Sequence, residues 1–171
     1  MSTLPNPIYR ADPRGPEKIL AAGGFKSWGS DQTITIIEHV KKLYNKPHRQ
    51  GQDPWISTSG KASVGEGPVV DKPCWVYVIN TTTIASRFTE VAPVFAAAGE
   101  KYGHANEEEW AAYREIPLAC ITSFYQIRKD GKHSASFTWA SWEAAQKAKA
   151  AKPASGSGKG SGSGSGSGPK K

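Results

Sequence analysis

Apolar residues along this chain gather in short runs separated by glycine, proline and polar clusters, a pattern that predicts many brief strands and few helices. Ile8–Asp12 reads as a strand stopped by Pro13, with Arg10 and Asp12 on one face and Tyr9 on the other. Residues 16–22 read as a short helix with proline in its first turn, ended by Gly23-Gly24; Phe25 and Trp28 follow in a loop. Ile34, Ile37, Val40, Leu43 and Tyr44 stand close to helical spacing, so residues 34–44 are expected to form an amphipathic helix carrying His39. After a polar loop over 45–54, Trp55–Ser59 is a strand closed by Gly60, with Ser57 and Ser59 on one face, and residues 60–68 are a glycine-rich loop. The clearest strand covers 74–80. Residues 89–98 read as helical despite Pro93, and 99–106 as a loop. Ile121–Ile127 has the look of a buried strand, Lys129-Asp130-Gly131-Lys132 of a hairpin turn, 134–139 of its partner strand and 141–151 of a terminal helix. With no internal repeat, these elements suggest an α+β domain with a mainly antiparallel sheet arrangement.

Composition changes this picture at one end only. The 171 residues suit one domain at 1–152 and an appendage at 153–171, and six tryptophans with 37% hydrophobic residues exclude disorder of the whole chain. The net charge of +7 points toward a nucleic-acid or membrane partner, but six of those charges (Lys147, Lys149, Lys152, Lys159, Lys170 and Lys171) lie at the C-terminal end without a single acid among them. The rest is close to neutral, so the basicity belongs to a flexible Ser/Gly/Lys-rich tail, whose regular repetition fits a natural linker or an appended tag equally well. Cys74 and Cys120 stand in apolar stretches and are expected as buried thiols rather than a bridge. No ligand pair with metal spacing occurs, and no run is long enough to span a bilayer. The first fifteen residues hold prolines and charges without an apolar leader core: either the protein works where it is made, or this is a mature form whose leader is missing.

The candidate chemistry centres on Glu107-Glu108-Glu109, which runs directly into Trp110-Ala111-Ala112-Tyr113 and Ile116-Pro117. An acidic run is ordinarily a solvated face, but this one enters structured chain. If residues 107–109 are extended, Glu107 and Glu109 project from one face and Glu108 from the other. Two carboxylates so placed can hold different roles, one staying ionised beside a developing cation and one acting as a base.

Taken together, these motifs resemble, in order and spacing, the cholera-toxin-like and pertussis-toxin-like mono-ADP-ribosyltransferases. Tyr9-Arg10-Ala11-Asp12-Pro13-Arg14-Gly15-Pro16 is similar to the opening strand of their A subunits, and Gly23-Gly24-Phe25-Lys26-Ser27-Trp28-Gly29 continues the likeness. Trp55-Ile56-Ser57-Thr58-Ser59 resembles their hydrophobic-STS strand, and Glu107-Glu108-Glu109 their E-x-E element; the Ile116-Pro117 pair sets the register so that Glu109, not Glu108, is the second acid. The likeness covers about Ile8 to Ile127, with a shorter segment between Ser59 and Cys74 that lacks a convincing helix. It implies a split β-sandwich of two small, mainly antiparallel sheets with a few helices and an NAD cleft. It also implies an NAD-dependent glycosyltransferase, enterotoxin A-like, that acts as a toxin or effector, secreted or delivered into a target cell.

On that resemblance NAD is a substrate and no metal is needed. Glu109 would hold a ribose hydroxyl and face the oxocarbenium-like ribose formed as nicotinamide leaves. Arg10 would offer a planar fork to phosphate, oriented by Asp12 or a backbone carbonyl, with Ala11, Arg14, Thr58 and Ser59 beside it in the NAD site. Ser57 would hydrogen-bond Glu109 and hold its rotamer, since no Ser-His-Asp pattern or nucleophile elbow marks it as a nucleophile. Glu107 would attract a protonated arginine of a target protein and take its proton, and family members with Glu at this position modify arginine. Tyr102 would stack on the acceptor or serve as an ordinary loop tyrosine. His39 lies beside the ribose or simply on a polar face, and Trp28 lies near the nicotinamide or packs in the core. Arg10, Ser57 and Glu109 are thus expected to converge on one dinucleotide-sized groove with Glu107 at its rim. The alternative acceptors are guanine in DNA, toward which the basic tail leans, and water, which would make the protein an NAD glycohydrolase.

Overall fold

A computed structural model of the chain describes residues 2–42, 51–65, 74–128 and 130–151. Among these described residues, eight strands and four helices follow in the order β1 (Ile8–Asp12), α1 (Pro16–Ala21), β2 (Gly24–Lys26), α2 (Ile36–Val40), β3 (Trp55–Ser59), β4 (Cys74–Ile79), β5 (Phe88–Glu90), α3 (Val91–Ala97), β6 (Glu109–Tyr113), β7 (Glu115–Pro117), β8 (Ile121–Ile127) and α4 (Trp139–Ala150). They build two antiparallel sheets, one of six strands in the order β5-β6-β3-β1-β4-β8 and one of the pair β2-β7. This is the mixed α and β architecture with two antiparallel sheets that the strand pattern and the resemblance predict. The large sheet parts in its middle. β1 and β4 share five rungs and β3 and β6 another five, whereas the only β1–β3 rung is Tyr9 opposite Ser59.

The main core lies on one face of the large sheet, where Ile8, Ile56, Tyr77, Ile79, Trp110 and Phe124 meet Ile19 of α1, Phe25 of β2 and Ile116 of β7. Burial of this apolar surface drives the packing of the small sheet onto the large one. Phe25 stands edge-on to Tyr77 with ring centres 5.1 Å apart, and Trp139 at the start of α4 lies 4.6 Å from Phe124. Trp139 Nε1 also donates to the carbonyl of Ile121 at 3.0 Å, which satisfies the one polar atom that this ring brings inward. A smaller cluster covers the other face of the sheet, where Ile36 of α2 and Val91 and Phe95 of α3 pack on Ala111, with Tyr102 against it. β2 can lie close to β7 only because residue 24 is glycine: its φ is +118°, and a β-carbon there would stand 2.2 Å from the carbonyl oxygen of Ile116.

Several sequence expectations need correction. Phe25 belongs to a strand rather than a loop, because Gly24–Lys26 pairs residue for residue with Glu115–Pro117. The helix expected over 34–44 is cut short on both sides. Thr35 caps it through a reciprocal capping box with Glu38, and Lys42 takes a left-handed conformation, φ 54°, just past its end; Leu43 and Tyr44 lie outside the described residues. The helix expected over 89–98 begins only at Val91, since Thr89 and Glu90 extend β5. The glycine-rich segment after Ser59 contains one short 3₁₀ turn, Ala62–Gly65, and residues 66–68 lie outside the described residues. The expected partner strand over 134–139 touches β8 through one isolated bridge at Phe137, with another just ahead of it at His133, before α4 takes over at Trp139. Cys120 is a buried free thiol as expected, while free Cys74 is half-buried at the start of β4.

Candidate functional site

The parting between β1 and β3 is where the charged and hydroxylated motif residues gather. Alternation along β1 turns Arg10 and Asp12 to one face. Asp12, 2% exposed, accepts from both neighbouring arginines: Arg10 Nη2 at 3.0 Å, Arg14 Nε at 2.8 Å, Arg14 Nη2 at 2.8 Å and the Arg14 amide at 3.0 Å. Arg10 Nη1 crosses the parting and donates to the carbonyl of Ser57 at 2.6 Å. Both orienters that the sequence left open, a carboxylate and a carbonyl, therefore hold the guanidinium. Arg10 and Arg14 also stand over the Phe25 ring, at 5.1 and 5.6 Å from its centre.

Burial draws the pKa of Arg10 below its ordinary value, opposed by the charge of Asp12. Burial pushes the Asp12 carboxyl up, but the hydrogen bond from Arg14 and the charge of Arg10 outweigh it and leave its pKa below the usual carboxylate range. A depressed folded-state pKa means that the stabilisation from Asp12 is fully present above the unfolded value, about 3.9, and is lost as pH falls through the lower folded value. Asp12→Asn is expected to lower the urea midpoint near neutral pH. The gap from the original protein should close as the pH falls through the lowered folded value; a gap independent of pH would show that the charge of Asp12 contributes nothing.

On β3, Ser57, Thr58 and Ser59 divide their tasks. Ser57 Oγ lies 2.8 Å from His39 Nε2, and His39 Nδ1 lies 2.6 Å from Asp53 Oδ2. His39 and Asp53 are both buried, 9% and 4% exposed. This corrects the expectation that no Ser-His-Asp pattern accompanies Ser57. Asp53 escaped the sequence reading because it sits in a stretch that reads as polar loop. Its one signal is local: an Asp two residues ahead of a strand whose Oδ1 accepts the Trp55 amide, at 3.0 Å. Thr58 turns to the opposite face and donates to the carbonyl of Trp110 at 2.7 Å, so its side chain fastens β3 to β6. Ser59 donates to the carbonyl of Glu107 and accepts from the Lys61 amide at 3.0 Å, which ties the acidic run to the end of β3. Ala11 pairs with Val76 in the β1–β4 ladder.

The acidic run is not extended. Glu107 ends a 3₁₀ turn, Glu108 is left-handed at φ 47° and ψ 54°, and only Glu109 enters β6. The twist at Glu108 sends its neighbours to different environments, so the alternation expected of a strand does not hold here. Glu107 stands exposed with His104 Nδ1 at 3.2 Å, and Glu108 pairs with Lys61 at 3.3 Å. Glu109, 9% exposed, accepts from Tyr102 Oη at 3.0 Å. Tyr102, not Ser57, is thus the hydroxyl that holds Glu109, and its own ring is held 5.0 Å from Phe95. Desolvation and the adjacent Glu109 charge raise the Tyr102 pKa, so it keeps the proton it donates.

Two hollows result. One of about 220 Å³ is lined by Arg10, Ser57, His39 and Asp53, together with Trp28, Trp55 and Lys26; Trp28 is 68% exposed over it rather than packed in the core. A second of about 370 Å³ is lined by Glu109, Tyr102, Glu108 and Glu90. The expected single groove is therefore divided, with β3 lying between the strand of Arg10 and the strand of Glu109.

No protein-family model and no curated protein sequence matches the chain. Among solved structures it is similar to a mutant of heat-labile enterotoxin (22% identity, TM-score 0.53, covering 77% of this chain and 73% of that one). It is likewise similar to a variant of Scabin toxin from Streptomyces scabies (17% identity, TM-score 0.57, covering 80% and 76%). A third is a guanine-specific ADP-ribosyltransferase (17% identity, TM-score 0.58, covering 80% and 78%). The chain has the fold of the ADP-ribosyltransferase toxins.

Proposed function

We propose that this protein is an NAD-dependent mono-ADP-ribosyltransferase that transfers ADP-ribose to arginine side chains of a target protein. The observation that carries the reading is the placement of three kinds of group on three neighbouring strands. A cationic fork stands on β1 at Arg10, a held hydroxyl on β3 at Ser57 and a buried carboxylate at the start of β6 at Glu109. NAD as substrate suits this set. The Arg10 fork matches a pyrophosphate, and a fixed carboxylate in a shielded site favours the cationic ribose formed as nicotinamide leaves. Exposed Glu107, two residues ahead of Glu109, suits attraction of a guanidinium. Secretion or delivery into a target cell goes with this toxin-like reading, and among the described residues no helix is long and apolar enough to cross a membrane.

Guanine in nucleic acid is the second acceptor reading. It is favoured by the likeness to a guanine-specific enzyme and by the lysines of the C-terminal tail. Incubation with NAD labelled in the adenosine half is expected to release nicotinamide and to label a mixed protein extract through bonds that hydroxylamine cleaves, with no label on DNA. Label on DNA alone would select guanine, and neither label nor free nicotinamide would refute a transferase of either kind.

A further inference from the structure

Asp53 is buried, and both of its carboxylate oxygens are engaged: Oδ1 accepts the Trp55 amide at 3.0 Å and Oδ2 lies 2.6 Å from His39 Nδ1. A carboxylate only accepts, so Nδ1 is the nitrogen that carries the proton in that contact. In the neutral ring, Nε2 then holds a lone pair, and the group 2.8 Å away is the Ser57 hydroxyl. In that tautomer Ser57 donates to Nε2, and the remaining lone pairs of its oxygen are left for a ligand in the hollow that Ser57 lines with Arg10 and Trp28.

We infer that Asp53 is a positioning residue: it fixes His39 in the Nδ1-protonated tautomer and thereby makes Ser57 a hydrogen-bond acceptor toward whatever occupies the hollow. The ligand group that meets Ser57 must then be a donor, an O–H or N–H such as a sugar hydroxyl or a carboxamide. This rests on the proposed transferase reading for its catalytic consequence, but the tautomer itself does not depend on it. The environment of Asp53 makes the inference unusually open to test. An asparagine at this position has one acceptor where the carboxylate has two. The Trp55 amide requires that acceptor, so the NH₂ group must face His39 Nδ1, and the ring proton must move to Nε2. Nε2 would then donate to Ser57, and the serine oxygen would present its proton to the hollow instead of a lone pair.

The experiment is long-range ¹H–¹⁵N correlation NMR of the full chain with labelled histidines, His39 being assigned by its loss in His39→Gln. The expected result is an Nδ1-protonated His39 in the original protein and an Nε2-protonated one in the folded Asp53→Asn variant. Nicotinamide release should fall about tenfold or more in Asp53→Asn, the scale on which an orienting partner of a histidine acts. In a Ser57→Ala background the same substitution should cost nothing further, because the residue through which it acts is gone. An Nε2-protonated ring in the original protein, an unchanged tautomer in Asp53→Asn, or an equal loss in both backgrounds would overturn the inference. Covalent labelling of Ser57 by a fluorophosphonate would overturn it as well, by making Ser57 a nucleophile. Absence of nicotinamide release from the original protein would instead refute the transferase reading and leave the tautomer result standing on its own.

Discussion

Glu109→Gln is expected to lower nicotinamide release by roughly 10²–10³-fold, the loss that follows when one pre-placed electrostatic partner of a transition state is removed. The substitution is close to isosteric, and the Gln carbonyl can still accept from Tyr102 Oη, which lies 3.0 Å from the present carboxylate. Thermal and urea midpoints should therefore stay near those of the original protein. What the amide lacks is the full negative charge. Glu109 is 9% exposed, and the loss is felt most where burial weakens solvent screening. Chromatographic assay of nicotinamide at saturating NAD reads the effect directly. A variant that keeps the original rate would remove Glu109 from the chemistry, and with it the proposed assignment of the acidic run.

Glu107→Gln is expected to separate two activities that Glu109→Gln removes together. Glu107 is exposed, touches His104 at 3.2 Å and leaves the carboxylate of Glu109 in place, so nicotinamide release into water should stay near its original rate. Transfer to an arginine analogue such as agmatine should fall by about 10² or more, because a guanidinium must lose a proton as it attacks and the proposed reading makes Glu107 the base offered to it. Retention of full agmatine transfer would refute the role given to Glu107, whatever the acceptor of the original protein proves to be.

Legibility in the sequence followed the strength of local signals. β1, β3, β4 and β8 are apolar runs bounded by proline, glycine or polar residues, and each was readable within a residue or so. The three-residue strands β2, β5 and β7 were not, because three residues carry no periodicity; they exist because partners across the sheet complete them. The α2 region was over-read: the apolar spacing continues to Tyr44, but the cap at Thr35 and the left-handed Lys42 fix a shorter helix, and side-chain spacing does not report either backbone event. In the candidate site, motif likeness marks Arg10, Ser57 and Glu109, and alternation along β1 puts Asp12 beside Arg10, whereas the groups that hold His39 and Glu109 carry no such local signal. Tyr102, expected to stack on an acceptor, holds Glu109, and Asp53, in a stretch that reads as polar loop, holds His39. Such pairings join residues 7 to 52 positions apart, as with Thr58 and Trp110, and are set by strand register rather than by anything in either local segment. The left-handed Glu108 is a further case: three identical residues in a row predict alternation, and a single positive φ cancels it.

The large sheet is in effect two three-stranded leaves, β5-β6-β3 and β1-β4-β8, stitched by the rung at Tyr9 and Ser59 and by the reach of Arg10 to the Ser57 carbonyl. Each leaf keeps its own ladders whole when the seam between them widens. The sparsest line of backbone pairing in the large sheet therefore runs between the strand of Arg10 and the strands of Ser57 and Glu109, and on the proposed reading a small change in the gape of that seam alters the spacing between the phosphate-facing and the ribose-facing groups.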